Sequence, residues 1–161
     1  MNYNVVLSSV DKLSGGSNNK ASFQINWPDF LDTKIQKYRV NFAFQSDEDY
    51  HVDSAGSYYN LASVVLNTGS RFYTFDTSTK SQSNTIGLIS RVGTGTFTSF
   101  YSVPSFNLPV IIERPTSNIV TISFYNCHLS NTLLTSTNFT GVATSDMPRW
   151  NLILGFQPVE E

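Results

Sequence analysis

Charge is scarce in this chain. Ten basic and twelve acidic residues leave 14% of its 161 positions charged, against about 25% in an average domain. The formal net charge is −2. There is no basic stripe to neutralise phosphates, which argues against nucleic-acid binding. Cysteine is nearly absent. Cys127 stands alone, so no disulfide can form within the chain, and the composition fits folding in a reducing compartment. His51 and His128 are the only histidines, too few beside one cysteine for a structural zinc site. No run of about 18 apolar residues occurs in the sequence, so no membrane span is expected. The opening Met1–Leu7 lacks a basic n-region and a long apolar stretch, so it does not read as a signal peptide. A 3.6-residue period is also missing.

In place of charge, serine, threonine and asparagine make up about a third of the chain, and aromatics reach 14%. Charge is depleted and aromatics are enriched at the centres of protein interfaces. The same composition also suits strand propensity in a β-rich domain.

A period of two recurs throughout. Ala21, Phe23, Ile25 and Trp27 alternate with polar residues, as do Tyr38, Val40, Phe42 and Phe44, then Val120, Ile122 and Phe124. Leu152, Leu154 and Phe156 alternate with Asn151, Ile153 and Gly155. Successive strand side chains point to opposite faces, so each run has a buried and a wet side. The length suits one domain over 1–161 with a core that needs no staples.

Strands are expected over Tyr3–Ser9, Ala21–Trp27, Lys37–Gln45, Ser57–Leu66, Arg71–Phe75, Thr85–Val92, Thr96–Ser102, Ile119–Tyr125 and Trp150–Phe156. Pro28 ends the second, because proline has no N–H to give a central strand. A helical turn is expected over Asp29–Thr33. Phe106–Ile112 carries Pro109, which predicts an edge strand or extended loop. Short strands with unequal connections favour an antiparallel β-sandwich, and the single jelly roll matches best in strand count and length.

Nothing in the sequence carries a recognisable chemistry, and the chain does not read as an enzyme. Cys127 and His128 are neighbours at a strand end, where consecutive side chains face apart. Asp47, Asp49 and Asp53 lack the glycine and distal glutamate of a calcium loop, so the Asp47–Asp53 run reads as a solvated acidic loop. Asp76 and Glu113 are the acids nearest to strands, but no pairing pattern links them. No phosphate loop, nucleophile elbow or zinc helix motif is present. No cofactor is expected.

The stretch from Asn107 through Leu108-Pro109-Val110-Ile111-Ile112-Glu113-Arg114-Pro115 leads into Asn118–Phe124. The chain closes on Asp146-Met147-Pro148-Arg149-Trp150-Asn151-Leu152-Ile153-Leu154-Gly155-Phe156 and opens on Asn4-Val5-Val6-Leu7-Ser8-Ser9. In strand order and in its closing Trp-x-Leu-x-Leu-x-Phe strand, the chain resembles the small single jelly-roll capsid proteins of eukaryotic double-stranded DNA viruses. These are the proteins of virophages, polinton-like viruses and their large relatives. The resemblance implies a minor capsid protein, a penton at the icosahedral five-fold vertices, and no active site. It implies a homopentamer in contact with the major capsid protein, made in the host cytoplasm and residing in the virion. Against that family, the chain has no insertion for an outer domain.

Sheet edges must be covered or blunted, so the apolar edge segment Leu108, Pro109, Val110, Ile111 and Ile112 is the candidate interface. Two other readings suit the composition. One is a carbohydrate-binding sandwich using Trp27, Tyr58 and Tyr59. The other is a trimeric receptor-binding fibre head.

Overall fold

Alternation is strictest over Lys37–Ser46, and there it builds the longest strand, with every second side chain buried. The structure is a computed structural model. It describes residues 2–29, 31–46, 50–51, 61–76, 81–92, 97–102, 108–126, 132–133 and 149–160. Among the described residues thirteen strands follow in order: β1 (Tyr3–Ser8), β2 (Lys20–Gln24), β3 (Lys37–Ser46), β4 (Tyr50–His51), β5 (Leu61–Asn67), β6 (Phe75–Asp76), β7 (Ser81–Gln82), β8 (Thr85–Val92), β9 (Phe97–Ser102), β10 (Val110–Glu113), β11 (Ile119–Asn126), β12 (Thr132–Leu133) and β13 (Trp150–Pro158). Among the described residues the only helical elements are two 3₁₀ turns, Ser9–Asp11 and Trp27–Asp29. The fold is all-β.

The pairing is antiparallel throughout. One four-stranded layer runs β1-β13-β3-β10, in the register Val5↔Leu154↔Phe42 and Val40↔Val110. The other runs β2-β11-β5-β8, in the register Ala21↔Ile122↔Leu66. β9 pairs with both β3 and β8, so the ladder turns the corner from one layer to the other without a break.

The layers face each other across a core that is largely aromatic. Phe44 of β3 meets Phe124 of β11 at 5.3 Å. Trp150 of β13 meets Phe124 at 5.4 Å and Phe23 of β2 at 5.9 Å, both edge to face. These pairs join strands that share no backbone bonds, and this facing of two sheets makes the fold a β-sandwich. Edge-to-face rings contribute about 0.5–1.5 kcal/mol beyond their buried area.

Trp150 is fully buried. Its indole N–H donates to the Asn18 carbonyl at 2.8 Å, and its backbone N–H donates to Ser9 Oγ at 2.9 Å. All of the alternating apolar residues named above are buried, except Ile25 and the outward Ile153.

Three expectations are corrected. β2 ends at Gln24, so Trp27 reaches the core from a 3₁₀ turn instead of a strand. That turn begins two residues before the expected helical turn and closes with Leu31 N–H on the Trp27 carbonyl at 2.8 Å. Arg71–Phe75 is not a strand. Phe72 makes an isolated bridge to Ile112, and pairing resumes only at β6. β10 is the last strand of its sheet, the edge position that Pro109 predicts, but its outer side is covered: Tyr73 N–H reaches the Ile111 carbonyl and Glu113 N–H reaches the Arg71 carbonyl.

The turn after β5 locks onto the segment before β11. The N–H groups of Thr116 and Ser117 donate to the Thr68 carbonyl. Gly69 has φ +74°, a left-handed conformation, and a Cβ there would lie 2.9 Å from Ser117 Cβ. Glycine is required on both counts.

Candidate functional site: the outer face of the first sheet

The register of β1, β13, β3 and β10 arranges the outward side chains in rows. One row is apolar: Val6, Ile153 and Ala43. Val6 is 69% and Ile153 43% exposed, and Ala43 is also exposed. The next row is Asn4, Gly155, Asn41 and Pro109. The row beyond it brings Gln157 beside Arg39, and Arg39 beside Ile111.

Gly155 makes a gap in the middle of this face. A Cβ built on it would collide with Asn41 Oδ1 and approach Asn4 Oδ1 at 3.4 Å. The missing side chain opens a trough of about 140 Å³ lined by Asn2, Asn4, Arg39, Asn41, Pro109, Gly155, Phe156 and Gln157. Phe156 itself is in the core, so it contributes only to the floor. The walls are three asparagines, a glutamine and one cation. Amides offer both donors and acceptors, and guanidinium offers donors in a fixed fork.

A second hollow, of about 250 Å³, lies where β3 begins and β10 ends, lined by Gln36, Lys37, Glu113, Arg114 and Thr116. Its groups are engaged with one another. Tyr73 Oη donates to Glu113 Oε1 at 2.9 Å. The Lys37 ammonium and Arg71 guanidinium lie 5.4 Å and 5.0 Å from the Tyr73 ring centre, within the range of cation–π attraction. Arg114 donates to the Thr33 carbonyl.

Tyr38, at the inner side of this end, donates to the Asp32 carbonyl at 3.0 Å. Burial pushes its phenol up from 10.0, and the nearby Tyr3 and Asp32 push in the same direction.

The five residues expected at an interface separate. Leu108 is 75% exposed and Pro109 is exposed at the lip of the trough. Val110 and Ile111 are half-buried. Ile112 is fully buried. It points into the sandwich because it pairs with Tyr38 on the inward phase of β10, and it belongs to no surface.

Trp27 is also unavailable for stacking on a sugar. It is 2% exposed, its indole N–H donates to the Ser117 carbonyl at 2.8 Å, and its ring packs on Phe156 at 5.3 Å. Tyr58, Tyr59, Asp47, Asp49, Asp53, Cys127 and His128 lie outside the described residues.

Sequence reasoning missed the Val6–Ile153–Ala43 row. The signal was present: Val5-Val6-Leu7 and Leu152-Ile153-Leu154 put an apolar residue on the wet phase of an alternating strand. Among the described residues no helix is long and apolar enough to cross a membrane. No protein-family model matches the chain, and no curated protein matches it in sequence.

Proposed function

We propose that this protein is a structural subunit of a virus capsid, built as a single jelly roll and working as one copy of a closed ring. The pentamer of an icosahedral five-fold vertex, beside the major capsid protein, is the assembly proposed.

The strand order carries this reading. Set aside β9, which joins the two layers, and the two-residue strands β4, β6, β7 and β12, and number the remaining β1, β2, β3, β5, β8, β10, β11 and β13 from one to eight. The first sheet is then 1-8-3-6 and the second 2-7-4-5. That interleaving fits two nested Greek keys, the arrangement of jelly rolls, which serve in viral capsids and lectins.

The sandwich also has unlike sides, which supports a ring. On one side β9 joins the layers and residues 71–73 cover β10. On the other, among the described residues, β1 pairs only with β13. There β11 is the only strand paired with β2 among the described residues; the other side of β2 takes a bond from Leu13 N–H to the Ser22 carbonyl and a turn in which Lys20 and Ser17 exchange two backbone bonds. Val10 and Leu13 are exposed beside these edges, and Leu108 is exposed on the covered side.

A closed ring needs a heterologous contact between two different patches. The open side of one copy against the Leu108 side of the next meets that need. A stable contact should bury at least about 1,000 Å². The test is cryo-EM of the parent particle with peptide mass spectrometry of purified virions. Density for this chain at the vertices is expected. Particles that contain no copy of it would overturn the reading.

A further inference from the structure

Gly155 stands at the centre of a three-strand row, facing solvent, in the strand that holds the first sheet together. Glycine there is costly. It weakens a strand interior, and β-branched or aromatic residues suit such a position better. Its φ is not in the left-handed region, so the backbone does not demand it. A strand glycine without a conformational reason marks a close approach, and here the Asn41 amide makes it: its Oδ1 lies where a Cβ would be, so the glycine lets two amides meet across the strand.

What the trough could hold is set by its walls. Asn4 and Asn41 flank Gly155, Gln157 and Arg39 follow in the next row, and among the described residues Arg39 is the only charged one in the lining. With no carboxylate among the described lining residues, this set does not suit a metal cation. It does not suit a polyanion, which would need several cations. Amides that both donate and accept suit hydroxyl groups, and one guanidinium suits a single carboxylate or a ring oxygen.

Immediately beside the amides runs the apolar row Val6–Ile153–Ala43. A ligand with polar edges and an apolar face could rest on both. At about 140 Å³ the trough is well below the roughly 300–1,000 Å³ of pockets that enclose a drug-sized molecule. It has room for one small ring lying on the sheet.

We propose that the trough over Gly155 binds one sugar residue of a glycan, with Asn4, Asn41 and Gln157 bonding its hydroxyls and Arg39 taking a carboxylate where the sugar is acidic. The trough opens on the outer face of the sheet, with Asn2 and Pro109 at its ends beside the two sides proposed for the ring; it would serve attachment to a glycosylated surface, and the titration of the isolated chain tests it without the ring.

The test is a titration of the isotopically labelled full chain, followed by NMR, with four probes at millimolar concentration: methyl α-mannoside, N-acetylglucosamine, lactose and 3′-sialyllactose. Shifts confined to residues around Asn4, Asn41 and Gln157 are expected with at least one probe. Gly155→Thr fills the trough. Asn41, the flexible neighbour, can swing away, so this variant should fold with an equal or higher Tm and lose affinity at least tenfold. Arg39→Gln should weaken 3′-sialyllactose selectively if that probe binds. Silence with all four probes would overturn the proposal and leave the glycine as a seat for the Asn41 side chain. Binding that survives in folded Gly155→Thr would overturn it as well.

Discussion

Trp150 ties three parts of the fold together, and its removal has a calculable effect. The side chain is fully buried. It touches the rings of Phe23, Phe44 and Phe124 and donates to the Asn18 carbonyl. Truncating a core tryptophan to alanine costs about 3–5 kcal/mol through lost transfer energy and cavity formation. The Asn18 carbonyl also loses its donor, which adds about 1 kcal/mol at a partly buried site. Trp150→Ala should therefore lose roughly 4–6 kcal/mol, a large share of a typical 5–15 kcal/mol. Trp150→Phe keeps one ring against Phe124 and loses the donor, so about 1–3 kcal/mol is expected. Urea unfolding, followed by the fluorescence of Trp27 and by circular dichroism, measures both. With a slope of about 2 kcal/mol per molar, Trp150→Ala should shift the midpoint down by at least about 2 M, or leave no folded protein. Trp150→Phe should fall between it and the wild type. A soluble Trp150→Ala with an unchanged midpoint would refute the packing argument.

Gly69→Ala should cost at least about 1–2 kcal/mol, because an L residue must adopt the left-handed conformation and its Cβ meets Ser117; an unchanged thermal midpoint would contradict this. For Tyr38, the folded phenol holds its proton more tightly than the unfolded one. As pH passes about 10 the unfolded chain releases that proton first, so stability falls with rising pH. Tyr38→Phe should lose about 1 kcal/mol at neutral pH with its bond to Asp32. The gap from wild type should then narrow above pH 10, as read by urea midpoints across pH. A gap that widens there would reverse the sign argued here.

Local alternation made the core legible. Tyr38, Val40, Phe42, Val120, Ile122, Phe124, Leu152 and Leu154 face inward as their spacing requires. Partnerships were not legible, because register is settled by contacts between segments far apart in sequence. Gly155 could be read as a wet position, but nothing local told that Asn4 and Asn41 would flank it. The same blindness explains Ile112. Pro109 marks a sheet edge correctly, but nothing local shows that residues 71–73 cover that edge or that the phase of β10 turns Ile112 inward. Trp27 was expected in a strand because its phase fitted. Pro28 bends the chain into a 3₁₀ turn, which carries the indole inward by another route.

The central position of β13, between β1 and β3, has a consequence for synthesis. Ser9 and Trp150, joined by a hydrogen bond, are 141 residues apart. At about 5–20 residues per second, β1 waits about 7–30 s on the ribosome before its partner exists. During that interval β3 also lacks one neighbour, although β10 and all four strands of the second sheet have already been made. The first sheet therefore cannot be completed progressively as the chain emerges. Until β13 arrives β1 has no partner in the sheet, and a charge-poor chain has little self-repulsion to keep such unpaired strands from aggregating.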